Sequence, residues 1–169
     1  MKLEELENKL KLGESLEEIL KKEGWKDFED LTSLILSENG FLTIKNFRFS
    51  YNKKRYEIDI IALEEPRAIL IDCKHWKARY GKKSALRKAA HTHYQKCLNF
   101  SYKLSEIPII ELKKWNKVII IPTLITLYEE ELREEEKVLI VPLFKIVSFL
   151  ECVRNGFFDM IKLKFFKLS

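Results

Sequence analysis

A chain of 169 residues that is 46% hydrophobic and 34% charged is long and oily enough for one folded domain, which excludes a disordered or low-complexity polypeptide. No apolar run approaches the about 20 residues of a membrane span, and Met1-Lys2-Leu3-Glu4-Glu5 lacks the apolar stretch of a signal peptide, so a cytoplasmic protein away from membranes is expected. The three cysteines (Cys73, Cys97, Cys152) all lie in apolar segments with no Cys-x-x-Cys, and His91 and His93 have no ligand types beside them, which argues for reduced core thiols and against a disulfide framework or a zinc site.

In chain order, residues 2–12 and 15–23 read as two amphipathic helices broken at Gly13 and ended at Gly24, a helical extension over residues 1–24. The main domain, 25–169, opens with a helix from Trp25 to Asn39, with Phe28, Leu31, Leu34 and Ile35 as its apolar stripe and Asn39-Gly40 as its stop. Residues 41–49 read as a strand, Asn52-Lys53-Lys54 as a hairpin turn, and 55–63 and 67–74 as two further strands joined at Glu64-Glu65-Pro66. A long helix follows from Lys83 to Leu104, buried along Leu86, Ala90, Cys97, Phe100 and Leu104. Val118–Pro122 and Val138–Pro142 read as buried strands, the Glu-rich stretch 129–136 as a loop or short helix, Leu143–Val153 as a helix and Met160–Phe166 as a last strand. This order predicts a three-layer α/β domain with a mixed sheet.

Three charges stand where that sheet should be oily. Asp59 interrupts Tyr56-Glu57-Ile58-Asp59-Ile60-Ile61, and Asp72 and Lys74 interrupt Ile69-Leu70-Ile71-Asp72-Cys73-Lys74. A buried charge is costly unless it is paired, metal-bound or catalytic. Antiparallel pairing of the two strands puts Asp59 beside Asp72, and two adjacent carboxylates repel unless a divalent cation lies between them. A lysine two residues on shares a strand face with Asp72 and can orient a water or neutralise developing charge, so the set suits metal-assisted hydrolysis of a phosphodiester. Glu57 is a further acid on the Asp59 strand. The competing reading is an exposed edge-strand ion pair, or a buried ion-pair cluster whose loss at Asp72 would unfold the chain, whereas a metal-holding Asp72 predicts unchanged or higher stability without metal.

Charge is also unevenly placed. From Cys73 to Ser105 there is no acid, while Lys74, Lys77, Arg79, Lys82, Lys83, Arg87, Lys88, Lys96 and Lys103 accumulate. That segment, with a net charge of +5 overall, points to a phosphate-rich polymer such as DNA, against the plainer reading of a solvated helix face. Frequent Lys, Glu and Ile beside few Gly and Met resembles thermophile usage.

These residues, in this order, resemble the PD-(D/E)xK, or restriction-endonuclease-like, nuclease superfamily, most strongly over residues 25–76, and the Ile71-Asp72-Cys73-Lys74-His75-Trp76 block looks like that of archaeal Mrr-like or Holliday-junction-resolvase-like proteins. The resemblance implies a DNA endonuclease dependent on Mg²⁺ or Mn²⁺, frequently a homodimer. Asp59 stands for the aspartate on the second strand and Asp72-Cys73-Lys74 for the (D/E)xK, with the Cys73 carbonyl a further metal ligand. Glu29 stands for the acid on the preceding helix, with Asp27 and Asp30 as rivals. Gln95 is an accessory position by analogy with related nucleases. His75, Trp76, Lys77, Arg79, Lys82, Lys83, Arg87 and Lys88 are the implied nucleic-acid contacts, although Trp76 equally suits a cap over the sheet end. The chain departs from the family pattern at Ile58, where a proline is usual. The alternative implied by the same fold is a DNA-binding protein without turnover.

Overall fold

The computed structural model describes residues 3–23, 25–74, 82–127, 129–130, 133–156 and 163–166. Three helices come first, α1 (Leu3–Lys11), α2 (Leu16–Glu23) and α3 (Trp25–Glu38). The meander follows as β1 (Leu42–Tyr51), β2 (Lys54–Glu64) and β3 (Arg67–Lys74), then α4 (Lys82–Tyr102), a short α5 (Ile110–Lys114), β4 (Lys117–Thr126), β5 (Glu134–Glu135), β6 (Val138–Pro142), α6 (Ile146–Arg154) and β7 (Leu163–Phe166). The helices start and stop for local reasons. Ser15 Oγ accepts from the Glu18 N–H while the Glu18 carboxylate accepts from the Ser15 N–H, a reciprocal box that opens α2. Gly40, at φ 90°, closes α3.

The seven strands form one mixed sheet in the order β1-β2-β3-β4-β6-β5, with β7 also paired to β4. The meander is antiparallel, and β3, β4 and β6 run parallel. Asn52 and Lys53, at φ 48° and 64°, make the two-residue turn between β1 and β2 whose positive φ values match the strand twist. Helices cover both faces. Leu6, Ile19, Leu20, Phe28, Leu31 and Leu36 bury against Ile60, Ile69, Ile71 and Cys73, together with Phe149 and Leu150 of α6. The other face buries Cys97, Phe100, Leu112 and Trp115 against Ile58, Ile61, Leu63 and Leu70. α2 is therefore part of the main core through Ile19 and Leu20.

The expected three-layer plan holds, with two local corrections. Within the Glu-rich stretch, residues 129, 130 and 133 are irregular as a loop would be, but Glu134–Glu135 pairs with Val138–Leu139 as a short hairpin. The sequence also hides α5, where Leu112 and Trp115 are buried although Lys113 and Lys114 are exposed; a five-residue helix is too short to print a clear period.

Candidate active site

The site begins as a fault in the sheet. Pairing of β2 with β3 runs from Glu64↔Arg67 to Ile60↔Ile71 and ends there. One step further in the same register, Asp59 faces Asp72. On the other side of β2 the β1 ladder skips the same place, between Lys45↔Ile60 and Phe47↔Ile58, where Asn46 takes φ 53°. Alternation slips with it: Ile58 and Ile61 pack on one face of the sheet and Ile60 on the other. The strands part, and the Cys73 N–H, deprived of a ladder acceptor, donates to Asp59 Oδ2 at 2.9 Å. The β1–β2 hairpin continues past this point with Lys53, Lys54 and Arg55 exposed.

The two carboxylates are close enough for a protonated Asp59 to donate to Asp72. Burial, then Asp72, then Glu29 push Asp59 up to about 7, against the lowering effect of the Cys73 N–H. Asp72 behaves in the opposite way. Burial also acts to raise it, but the cations around it hold it below the usual carboxylate range. Lys74 Nζ lies 2.8 Å from Asp72 Oδ2, and Lys96 Nζ of α4 lies 3.9 Å from Oδ1. His93 adds to this only when protonated, and its complete burial depresses its own pKa, so at neutral pH the two lysines carry the effect. One aspartate is thus compensated and its neighbour is not.

The α3 acids separate clearly. Asp30 is tied to Lys45 at 2.6 Å, whereas Glu29 is within electrostatic reach of Asp59 and Cys73. The side chain of Asp27 lies outside the described residues. The Cys73 thiol points into the α3-side core, where burial, followed by Asp59, Asp72 and Glu29, pushes its pKa well up. Glu57 pairs with Arg48 across the β1–β2 ladder at 2.6 Å, yet it lines the same cleft as Asp59. Gln95, exposed on α4, lines that cleft too. Arg87 departs from expectation: it turns toward β5 and stands 3.5 Å from Glu135, because the Glu-rich hairpin packs beside α4. Lys83 and Lys88 are exposed. His75, Trp76, Lys77 and Arg79, and the side chain of Lys82, lie outside the described residues.

Two residues were missed by the sequence reading. Lys96 reads as one basic residue among many, and its spacing of four from Thr92 and eight from Lys88 is the available signal. In the sequence His93 borders the apolar stripe of this helix, between Ala90 and Cys97. It is fully buried, with Nε2 at 2.8 Å from the Leu70 carbonyl, which makes Nε2 the protonated nitrogen. The gap between Ala90 and Cys97 in the predicted stripe is filled by this imidazole.

A divalent cation fits the donor chemistry here. Asp59 and Asp72 supply hard carboxylate oxygens at a point of uncompensated repulsion, and the Cys73 carbonyl is on the same strand end. Among the described residues no three His, Cys, Asp or Glu side chains converge closely enough to cage a metal, so such an ion would keep several waters.

A mixed sheet flanked by helices, with a parted meander carrying paired carboxylates and a lysine, is a restriction-endonuclease-like fold. Residues 20–100 match the model of the Mrr catalytic-domain family, described as a restriction endonuclease, a similarity consistent with the restriction-endonuclease-like nuclease superfamily. An uncharacterized protein of Archaeoglobus fulgidus is 27% identical over 126 residues, covering 75% of this chain and 88% of its own. A crystal structure of a protein of unknown function is similar at 18% identity and a TM-score of 0.44, over 76% of each chain.

Proposed function

We propose that the protein is a divalent-metal-dependent DNA endonuclease of the Mrr or junction-resolving kind, with Asp59, Asp72 and Lys74 at its centre and Glu29 in support. The observation that carries this reading is the asymmetric carboxylate pair: two aspartates side by side where the strands part, one neutralised by lysines and the other left with its repulsion. A bound Mg²⁺ or Mn²⁺, held by Asp59, Asp72 and the Cys73 carbonyl, would polarise a phosphoryl oxygen and acidify a water. The chain's own residues do the rest. The Cys73 N–H fixes the Asp59 carboxylate through Oδ2. Lys74, anchored on Asp72, presents its ammonium to the attacking water and to the charge that builds on the phosphate. Glu29 adds negative potential beside Asp59, which favours cation occupancy.

The fold that positions these groups also suits DNA binding without turnover. Nicking of supercoiled plasmid in Mg²⁺ separates the two. Wild type is expected to nick while Asp72→Asn loses at least about a hundredfold; equal cleavage by both proteins removes Asp72 from the chemistry, and no cleavage by either favours the binding protein. Cutting both strands of a duplex with one such site per chain calls for a homodimer, which sedimentation of the DNA-bound protein tests.

A further inference from the structure

α4 carries a polar stripe that runs along the helix from Lys96, beside Asp72, to residues that the proposed chemistry leaves unused. Lys88, Thr92 and Lys96 are spaced four apart and so lie on one face of the helix. Two clefts open along this face. One, of about 310 Å³, is lined by Asp72, Lys74 and all three stripe residues. The other, of about 550 Å³, is lined by Asp59, by Lys54 and Arg55 of the hairpin, and again by Thr92 and Lys96. The shared residues make the clefts neighbours, with Asp72 opening to one and Asp59 to the other.

Several cations along this path are not tied to a carboxylate. Among the described residues Lys88 and Arg55 have no carboxylate within ion-pair distance, and Lys54 stands over the Tyr56 ring at 5.3 Å. Lys96 is held at 3.9 Å from Asp72, a loose contact for an ammonium only 18% exposed. By contrast, Arg87, one residue from Lys88, is directed away to Glu135. A helix rises about 1.5 Å per residue, so the stripe spans about 12 Å, about the rise of three to four nucleotides of one strand along the axis of a DNA duplex at about 3.4 Å each.

We propose that Lys88, Thr92 and Lys96, continued by Lys54 and Arg55, form a phosphate track that carries one strand of DNA across the Asp59–Asp72 pair. The track rests on the nuclease reading and adds the strand's path to it. Lys96 sits at its middle, where it contacts the backbone from the helix side while Lys74 acts from the sheet side. Thr92 supplies a hydroxyl donor between the two lysines.

The test is the salt dependence of binding to a fluorescein-labelled 20-base-pair duplex, measured in an Asp59→Asn background so that no cutting intervenes. Lys88→Ala and Lys96→Gln are each expected to reduce the log–log slope by about one, and together by about two. Lys113→Ala, on exposed α5, is expected to leave it unchanged. Thermal melts of each variant confirm folding before binding is scored. Slopes that stay at the parent value in both stripe variants, with parent binding intact, overturn the track alone. No binding by the parent at any salt overturns the track together with the nuclease reading.

Discussion

At the scale of single residues, Asp59 carries the strain of the site. Its carboxyl is raised to about 7 by burial and by Asp72, so its charged form works against folding at higher pH. Asp59→Asn keeps an acceptor for the Cys73 N–H and removes the repulsion. The metal-free variant is expected to be more stable than wild type at pH 8 by about 1–2 kcal/mol, after discounting for partial exposure, and to lose any Mg²⁺-dependent rise in melting temperature; calorimetry with and without Mg²⁺ checks both. Asp72 is the opposite case. The expectation that its removal would be neutral or stabilising does not survive the geometry, because Lys74 and Lys96 already compensate it. Asp72→Ala leaves two ammoniums facing each other without their acid, and a loss of stability of about 1–3 kcal/mol is expected in urea titrations. Both acids were legible in the sequence because strands that are otherwise apolar made their charge conspicuous. The second cation on Asp72 was not, because Lys96 comes from α4, a separate element whose packing against β3 no local pattern prints.

At the scale of elements, the turn joining β2 to β3 is fastened to the end of α6. The Arg154 guanidinium is hydrogen-bonded to Glu64, at 2.6 Å in its shortest contact, bonds the Asn39 carbonyl and lies 4.9 Å over the Phe41 ring. Arg67 donates to the Val153 and Arg154 carbonyls. One cluster thus ties α3, the meander and α6 at the end of the sheet opposite the carboxylates. Arg154 holds the Glu64 carboxyl below its usual range, chiefly through the hydrogen bonds, so the pair's contribution is present above the ordinary carboxylate range and is lost as pH falls through the depressed value. Arg154→Ala is expected to cost about 1–2 kcal/mol at pH 7, with the gap to wild type shrinking in denaturant titrations as pH falls below the ordinary carboxylate range. On the other face, His93 joins α4 to β3 through the Leu70 carbonyl. His93→Ala opens a cavity and orphans that interaction, and a loss of about 2–4 kcal/mol is expected by thermal melt. Elements such as α3, β2, β3 and α4 could be read from periodicity and turn residues because each is long and one-sided or uniformly apolar. Strand β5 and α5 escaped, since two strand residues and five helical ones are fixed by their neighbours rather than by their own pattern.

At the scale of the whole molecule, the acids and the bases are sorted to different places. Glu129, Glu135 and Glu136 engage Lys145, Arg87 and His91 respectively, while the cleft by the carboxylates is bordered by Lys54, Arg55, Lys88 and Lys96. Among the described residues no helix is long and apolar enough to cross a membrane. The central claim is that Asp59 and Asp72 jointly hold a hard cation. Crystals soaked in Mn²⁺ and measured at the manganese edge test it most directly. An anomalous peak within about 2.0–2.3 Å of oxygens from both aspartates is the predicted result. An empty site at saturating Mn²⁺, with Lys74 still closed on Asp72, would contradict it.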